Sequence, residues 1–319
     1  MRAALASQEV RALLREGSAR LEAAGLATAR QDAEWLLASI LDVARFDLFR
    51  EPEREVTAGA AARYQALVER RAGHEPLQHL LGFEDFHGVR LAVTPDVLIP
   101  RPETEGLVDW AIALLGSGSS AVVADVGTGS GAIACALAAA VPGLDVLAVD
   151  RSLAALSVAA KNVRALGLSA RVRLLAGDLL APLGSLPRGL DMVVANPPYL
   201  PSAVIGGLPR EVAGFEPRLA LDGGSDGLQV IRRIVAAAPA ALRPGGWLLM
   251  EIGEDQAGSV ASLMAAEGFS GIASRLDLRG VERYVAGRLL EPGAPEPGAP
   301  RPVPPKPGPT EPPARRVCG

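Results

Sequence analysis

Residues 121–132 read Ala-Val-Val-Ala-Asp-Val-Gly-Thr-Gly-Ser-Gly-Ala. Residues 121–126 form a short, mostly apolar, β-branched run, the pattern of a buried strand. Three glycines, Gly127, Gly129 and Gly131, then break the run, and a helix is expected as far as Ala140. Glycine lets the backbone approach a ligand closely, and a helix N-terminus attracts an anion. Gly127, Gly129 and Ala132 satisfy the spacing G-x-G-x-x-[GA]. That pattern alone does not separate a dinucleotide from S-adenosylmethionine.

Downstream, the chain alternates. A strand is expected over 144–149, ending at Asp150, and an acid at that place hydrogen-bonds ribose hydroxyls. An adenosine-type cofactor is therefore favoured. A helix is expected over 152–166 and a third strand over 171–176, followed by Gly177-Asp178-Leu179. Asp178 can accept from an adenine amino group; the plainer role for it is a helix cap. The pattern continues with a strand over 190–195, a helix over 227–242, a strand over 247–252 and a helix over 255–267. Residues 270–276 and 281–287 read as a closing hairpin across Asp277-Leu278-Arg279-Gly280. The fold class is α/β, with a mostly parallel sheet and a late antiparallel pair.

The strand over 190–195 ends in Asn196-Pro197-Pro198-Tyr199. Pro198 keeps Pro197 extended, so the chain cannot turn directly into a helix. Neither proline has an N–H to offer a ladder. An amide, an exposed carbonyl and an aromatic ring thus sit at the carboxyl end of a strand, where open α/β sheets bind ligands. The Asn196 side-chain oxygen and the Pro197 carbonyl can hold the two N–H bonds of an NH2 group, and Tyr199 can stack on a flat group. An amine or amide held so has its nitrogen lone pair out of plane, ready for in-line attack on a methyl group. The plainer alternative is a proline-stiffened loop that only ends the strand.

Residues 7–24, 28–41 and 57–71 carry helical apolar periodicity, with Ser7 able to cap the first and Gly25 ending it. The expected organisation is a helical unit over 1–74, a β-hairpin linker over 75–98, an α/β domain over 99–290 and a disordered proline-rich tail over 291–319. The helical unit lacks any chemical constellation, which leaves it recognition or packing. Pro102, Glu103 and Glu105 suit the first turn of a helix ending near Leu115. Alternatively that segment is a lid bringing Arg101 and Glu103 to the cofactor's edge. His74, His79 and His87 match no metal-site spacing.

The chain of 319 residues is 49% hydrophobic with a net charge of −4, so no overall nucleic-acid-binding surface is expected. Two cysteines, Cys135 and Cys318, form no disulfide framework, which fits a reducing cytoplasm. Neither a signal-peptide pattern nor a membrane-spanning run is read.

Asp125-Val126-Gly127-Thr128-Gly129-Ser130-Gly131, Ala148-Val149-Asp150 and Asn196-Pro197-Pro198-Tyr199 resemble a class I S-adenosylmethionine-dependent methyltransferase. Ile99-Pro100-Arg101-Pro102-Glu103-Thr104-Glu105 and Phe215-Glu216-Pro217-Arg218-Leu219-Ala220-Leu221 are more specific. With the helical N-terminal unit they resemble the peptide chain release factor glutamine methyltransferases (the PrmC/HemK family), over roughly residues 8 to 288. The resemblance implies a seven-stranded Rossmann-like sheet whose last strand is antiparallel. It implies methyl transfer to the N5 nitrogen of the glutamine in the Gly-Gly-Gln motif of class I release factors. It assigns Gly127, Thr128, Gly129, Ser130 and Gly131 to the methionine end of S-adenosylmethionine, Asp150 to ribose, and Asp178 and Leu179 to adenine. Asn196, Pro197, Pro198 and Tyr199 would hold the glutamine, with Asn196 also beside the cofactor. Asn196, Pro197 and Tyr199 would be catalytic.

Two other chemistries fit parts of the pattern. Adenine N6 or guanine N2 methylation of a nucleic acid also presents an NH2 beside a flat group, but duplex DNA would require base flipping and a basic surface. A nicotinamide-dependent oxidoreductase would leave Asn196 to Tyr199 without a role.

Overall fold

The computed structural model describes residues 8–116, 120–184 and 189–290. The first unit is helical: α1 (Val10–Ala23), α2 (Ala29–Leu41), the single turn α3 (Asp47–Arg50) and α4 (Ala58–Ala72) enclose a core of their own. Leu13, Leu21, Leu36, Leu37 and Tyr64 are fully buried there. Gly17 of α1 admits the Tyr64 ring so closely that an added Cβ would sit 2.0 Å from its hydroxyl. Thr57 caps α4 by accepting from the Ala60 N–H.

The first helix begins later than expected. Gln8–Glu9 is instead a short strand, β1, antiparallel to β2 (Glu55–Val56). The Val10 and Arg11 N–H groups donate to the Arg54 and Pro52 carbonyls, so the start of α1 is held by a later loop rather than capped by a side chain. Ser7 lies outside the described residues, as do the tail and Cys318.

The segment after the helical unit carries a helix that the sequence reading missed. A single turn, α5 (Leu77–Leu81), starts after Pro76 and ends at Gly82 in the left-handed region. The hairpin follows as β3 (Phe83–Phe86) and β4 (Val89–Ala92).

Beyond α6 (Pro102–Leu115), strands and helices alternate: β5 (Val122–Val126), α7 (Ala132–Ala140), β6 (Asp145–Asp150), α8 (Leu153–Ala165), β7 (Val172–Ala176) and β8 (Leu190–Ala195). The single turn α9 (Arg210–Ala213) sits in the long loop after β8. Then come α10 (Gln229–Ala241), β9 (Leu242–Glu251), α11 (Ala257–Ala266), β10 (Phe269–Leu276) and β11 (Glu282–Leu289).

Seven strands form one sheet in the order β10-β11-β9-β8-β5-β6-β7. The strands from β7 across to β9 run parallel, while β11 is antiparallel to both its neighbours. Helices α6 and α7 cover one face and α10 and α11 the other, each over its own apolar cluster. This is the α/β class read from the alternation of strands and helices, in the Rossmann-like seven-stranded form that the family resemblance implies. The crossover after β5 leads to β6 and the one after β8 leads to β9, in opposite directions along the sheet, so the cleft between the ends of β5 and β8 is the topological switch point. Val126 and Ala195 are register partners. The glycine loop and Asn196 therefore emerge side by side.

Candidate active site

The glycine loop is held by its backbone. Gly127, Gly129 and Gly131 have φ of 76°, 55° and 82°, values that favour glycine. The Gly127 and Thr128 N–H groups donate to the Val149 carbonyl. A Cβ on Gly127 would project into space with no protein atom within 4 Å, whereas one on Gly131 would meet Ala159 at 3.3 Å. Gly131 is thus favoured by backbone conformation and close packing, and Gly127 by backbone conformation, with open space left above it.

Asp125 is fully buried beneath this loop. Its Oδ2 accepts from the Thr128 hydroxyl at 2.6 Å and the Ala134 N–H at 3.1 Å. Its Oδ1 is buried with no partner among the described residues. Burial pushes its carboxyl up to about 7. Asp150, at the end of β6, accepts from the Gly129 N–H and the Ser152 N–H, one on each oxygen, both at 2.9 Å. Each carboxylate oxygen has a second lone pair for a hydroxyl. Open space over Gly127, an unpartnered buried acceptor and a braced carboxylate suit the polar methionine end and ribose of S-adenosylmethionine.

Asn162 of α8, buried and overlooked in the sequence, braces the same loop. Its NH2 donates to the Ser130 carbonyl at 2.8 Å and to the Ala92 carbonyl at 3.0 Å, and its oxygen accepts from the Ala92 N–H. The hairpin is thereby tied to the glycine loop. Asp178 and Leu179 follow β7 in the same crevice. Leu179 adopts φ 53°, and Asp178 pairs with Arg233 of α10 at 2.6 Å. That ion pair engages one carboxylate oxygen, Oδ2, of Asp178.

Asn196 ends β8, and its NH2 donates to the Thr104 hydroxyl of α6 at 3.1 Å. Thr104 donates in turn to Oε2 of Glu251 at 2.7 Å, and the Tyr199 hydroxyl donates to Oε1 of the same residue at 3.3 Å. With its NH2 so engaged, the Asn196 carbonyl oxygen faces the other way. The Pro197 carbonyl receives no hydrogen bond among the described residues. Gln256 holds the Tyr199 backbone, donating to its carbonyl at 3.0 Å. The Asn196 amide, the Pro197 carbonyl and the braced Tyr199 thus follow β8 at the switch point, and the neighbouring β5 leads into the glycine loop.

Neither Thr104 nor Glu251 was singled out in the sequence. The available signal was an acid closing the otherwise apolar run Leu248-Leu249-Met250. Arg101 is engaged in an ion pair with the buried Glu216, joining the two motifs that make the family resemblance specific. Glu211, on α9 of the same long loop, pairs with Arg71 of α4 at 2.8 Å; Arg71 also binds Asp32 at 2.7 Å, both of them buried. His87 pairs with Asp109 at 2.9 Å.

Two family models match the chain: the PrmC N-terminal domain over residues 12–82 and the methyltransferase small domain over residues 110–204. The chain is 48% identical over 259 residues to a release factor glutamine methyltransferase of Moorella thermoacetica, covering 81% of this chain and 90% of that one. It is 43% identical over 265 residues to one of Geobacter sulfurreducens, covering 83% and 91%. Among solved structures, the hMettl16 catalytic domain in complex with the MAT2A 3'UTR hairpin 1 overlays with a TM-score of 0.54 at 16% identity, covering 80% of this chain and 93% of that one. That likeness concerns the fold alone.

Proposed function

The chain belongs to the release factor glutamine methyltransferases, and from that premise we propose how its residues divide the work. The enzyme is an S-adenosylmethionine-dependent protein-(glutamine-N5) methyltransferase, acting on the glutamine of the Gly-Gly-Gln motif in class I release factors. The relatives favour this reading over methylation of a nucleic-acid base.

When bound, S-adenosylmethionine supplies a methyl group on a sulfonium, whose departure leaves a neutral thioether. Gly127 to Gly131 hold its methionine end, Asp150 its ribose, and Asp178 and Leu179 its adenine. On the other side of the cleft, the Asn196 and Pro197 carbonyl oxygens each accept one N–H of the substrate amide. The nitrogen lone pair then points across the cleft, and the Tyr199 ring covers the amide plane.

An amide nitrogen is a poor nucleophile, so positioning carries most of the rate. Holding two reactants in line supplies on the order of several kcal/mol. Charge development is met by oxygens already fixed in place, at no reorganisation cost. The amide proton can leave after transfer, so no general base is needed beforehand.

The single observation behind this assignment is the Asn196 NH2 bound to Thr104, which leaves its carbonyl for the substrate. The protein acts in the cytoplasm, on the release factor itself and without direct contact with nucleic acid. Residues 1–74 recognise that protein. The test is incubation of an intact class I release factor with enzyme and S-adenosylmethionine, with mass mapping of the product. Methylation at the Gly-Gly-Gln glutamine is expected; a methyl group elsewhere, or none, overturns the reading.

A further inference from the structure

We propose that Glu251 is a positioning residue for methyl transfer, fixing the Asn196 amide through the Thr104 hydroxyl and the Tyr199 ring directly. The inference rests on the roles given above to Asn196 and Tyr199.

The geometry is directional. A threonine hydroxyl has one proton. Thr104 gives it to Glu251, so toward Asn196 it can only accept. Asn196 must therefore present its NH2 inward and its oxygen to the cleft. Were Thr104 to donate to Asn196 instead, the amide would be flipped and the cleft would meet an NH2. An ionised Glu251 enforces the productive order, because it is acceptor-only and takes hydrogen bonds from both Thr104 and Tyr199.

Glu251 is 2% exposed and Thr104 4%, so water does not compete for these bonds. The groups facing Glu251 come from four segments. Arg283 and Tyr284 lie on β11, Thr104 and Glu103 on α6, Tyr199 after β8, and Asp277 binds Arg283 from the turn before β11. Burial raises the Glu251 carboxyl to about 7, while the Thr104 bond, the Arg283 charge and the Tyr199 bond oppose it. Protonation places a donor where two donors already point. One of the two bonds must then reverse or break.

Glutamine at this position mimics the protonated acid, with one acceptor oxygen and one NH2. The experiment uses full-length wild type, Glu251→Gln, Thr104→Val and Thr104→Ser. Single-turnover methylation of an intact class I release factor is measured at saturating S-adenosylmethionine between pH 5.5 and 9. Wild type should lose rate as pH falls through about 7. Glu251→Gln should be slower by about 10- to 100-fold at pH 8.5, as expected for a displaced reactant, and flat with pH. Its rate should match the acid plateau of wild type, with S-adenosylmethionine affinity unchanged by calorimetry.

Thr104→Val should fall by a similar factor, and Thr104→Ser should recover most of the rate. Should Glu251→Gln fail to fold, the valine and serine pair decides the matter without touching the charge. A wild-type rate and pH profile in Glu251→Gln overturns the proposal, as does an unimpaired Thr104→Val. If wild type itself does not methylate the release factor, it is the functional assignment that fails.

Discussion

The two walls of the cleft are made differently. The wall we assign to the cofactor is nearly continuous: Asp125, the glycine loop, Asp150 and Ser152 lie along one βαβ unit and the turn after it, and most of their hydrogen bonds involve backbone N–H groups. The substrate wall is assembled from separate parts of the chain. Asn196 and Tyr199 follow β8, Thr104 comes from the first turn of α6, Glu251 from the end of β9 and Gln256 from the turn beyond it. Its bonds are mostly between side chains. A wall made by local backbone tolerates change elsewhere, whereas a relay of side chains fails at any link. Binding the cofactor and orienting the amide should therefore be separable by mutation.

The largest effect tests that separation directly. Asn196→Ala should lower the single-turnover rate by about 10²–10³, the usual cost of one preorganised polar contact, while S-adenosylmethionine affinity stays near wild type. Asn196→Asp should fail as well, since it removes the donor to Thr104 and adds charge beside Glu251. Equal losses of rate and cofactor affinity would merge the two walls into one unit.

Asp150→Ala is the mirror experiment. Losing its hydrogen bonds should weaken S-adenosylmethionine by about 1.5–3 kcal/mol, or roughly 10- to 100-fold in Kd. The single-turnover rate at saturating cofactor should stay close to wild type. Calorimetry showing an unaltered Kd would remove Asp150 from the ribose role.

A smaller effect asks how far the substrate wall extends. Phe46 and Phe49 of the helical unit are 71% and 45% exposed. If that unit grips the release factor, replacing both with serine should cost roughly 1 kcal/mol or more, as for aromatic anchors at interfaces. The loss should appear as a several-fold rise in KM with kcat unchanged. An unchanged KM would leave these rings outside the contact.

The smallest effect concerns stability. Asp125 has a folded-state pKa raised by burial to about 7. The folded chain thus binds that proton more tightly than the unfolded chain, and the stabilisation fades as pH rises through 7. Urea midpoints for wild type should fall between pH 5.5 and 8, and Asp125→Asn should flatten that decline. An identical slope in both proteins would dismiss Asp125 as its source.

The difference between the walls also explains what could be read from the sequence. The glycine loop, Asp150 and the Asn-Pro-Pro-Tyr turn are short stretches whose residue types dictate local conformation. Strand and helix order followed from apolar periodicity, so the sheet was legible. The bond from Thr104 to Glu251 spans 147 positions, and no local pattern announces it. Glu103 and Arg101 stood out as charged residues in a motif, yet Thr104 between them and Asn196 matters more to the geometry. The short helix α5 was hidden because Pro76 reads as a loop residue although it suits a helix start. Asn162 shows the same limit: a helical asparagine gives no hint that it binds both the glycine loop and the distant strand β4.

The placement of β11 has a consequence for how the enzyme comes into being. This strand lies between β9 and β10, although it is made after both. During synthesis, β10 has no partner in the sheet and β9 remains an open edge until residues 282–289 have left the ribosome. An open edge of that kind invites pairing with other chains. The same late strand brings Arg283 and Tyr284 to Glu251. A nascent chain that stops short of Glu282 can hold every glycine of the cofactor loop and still lack a finished substrate wall.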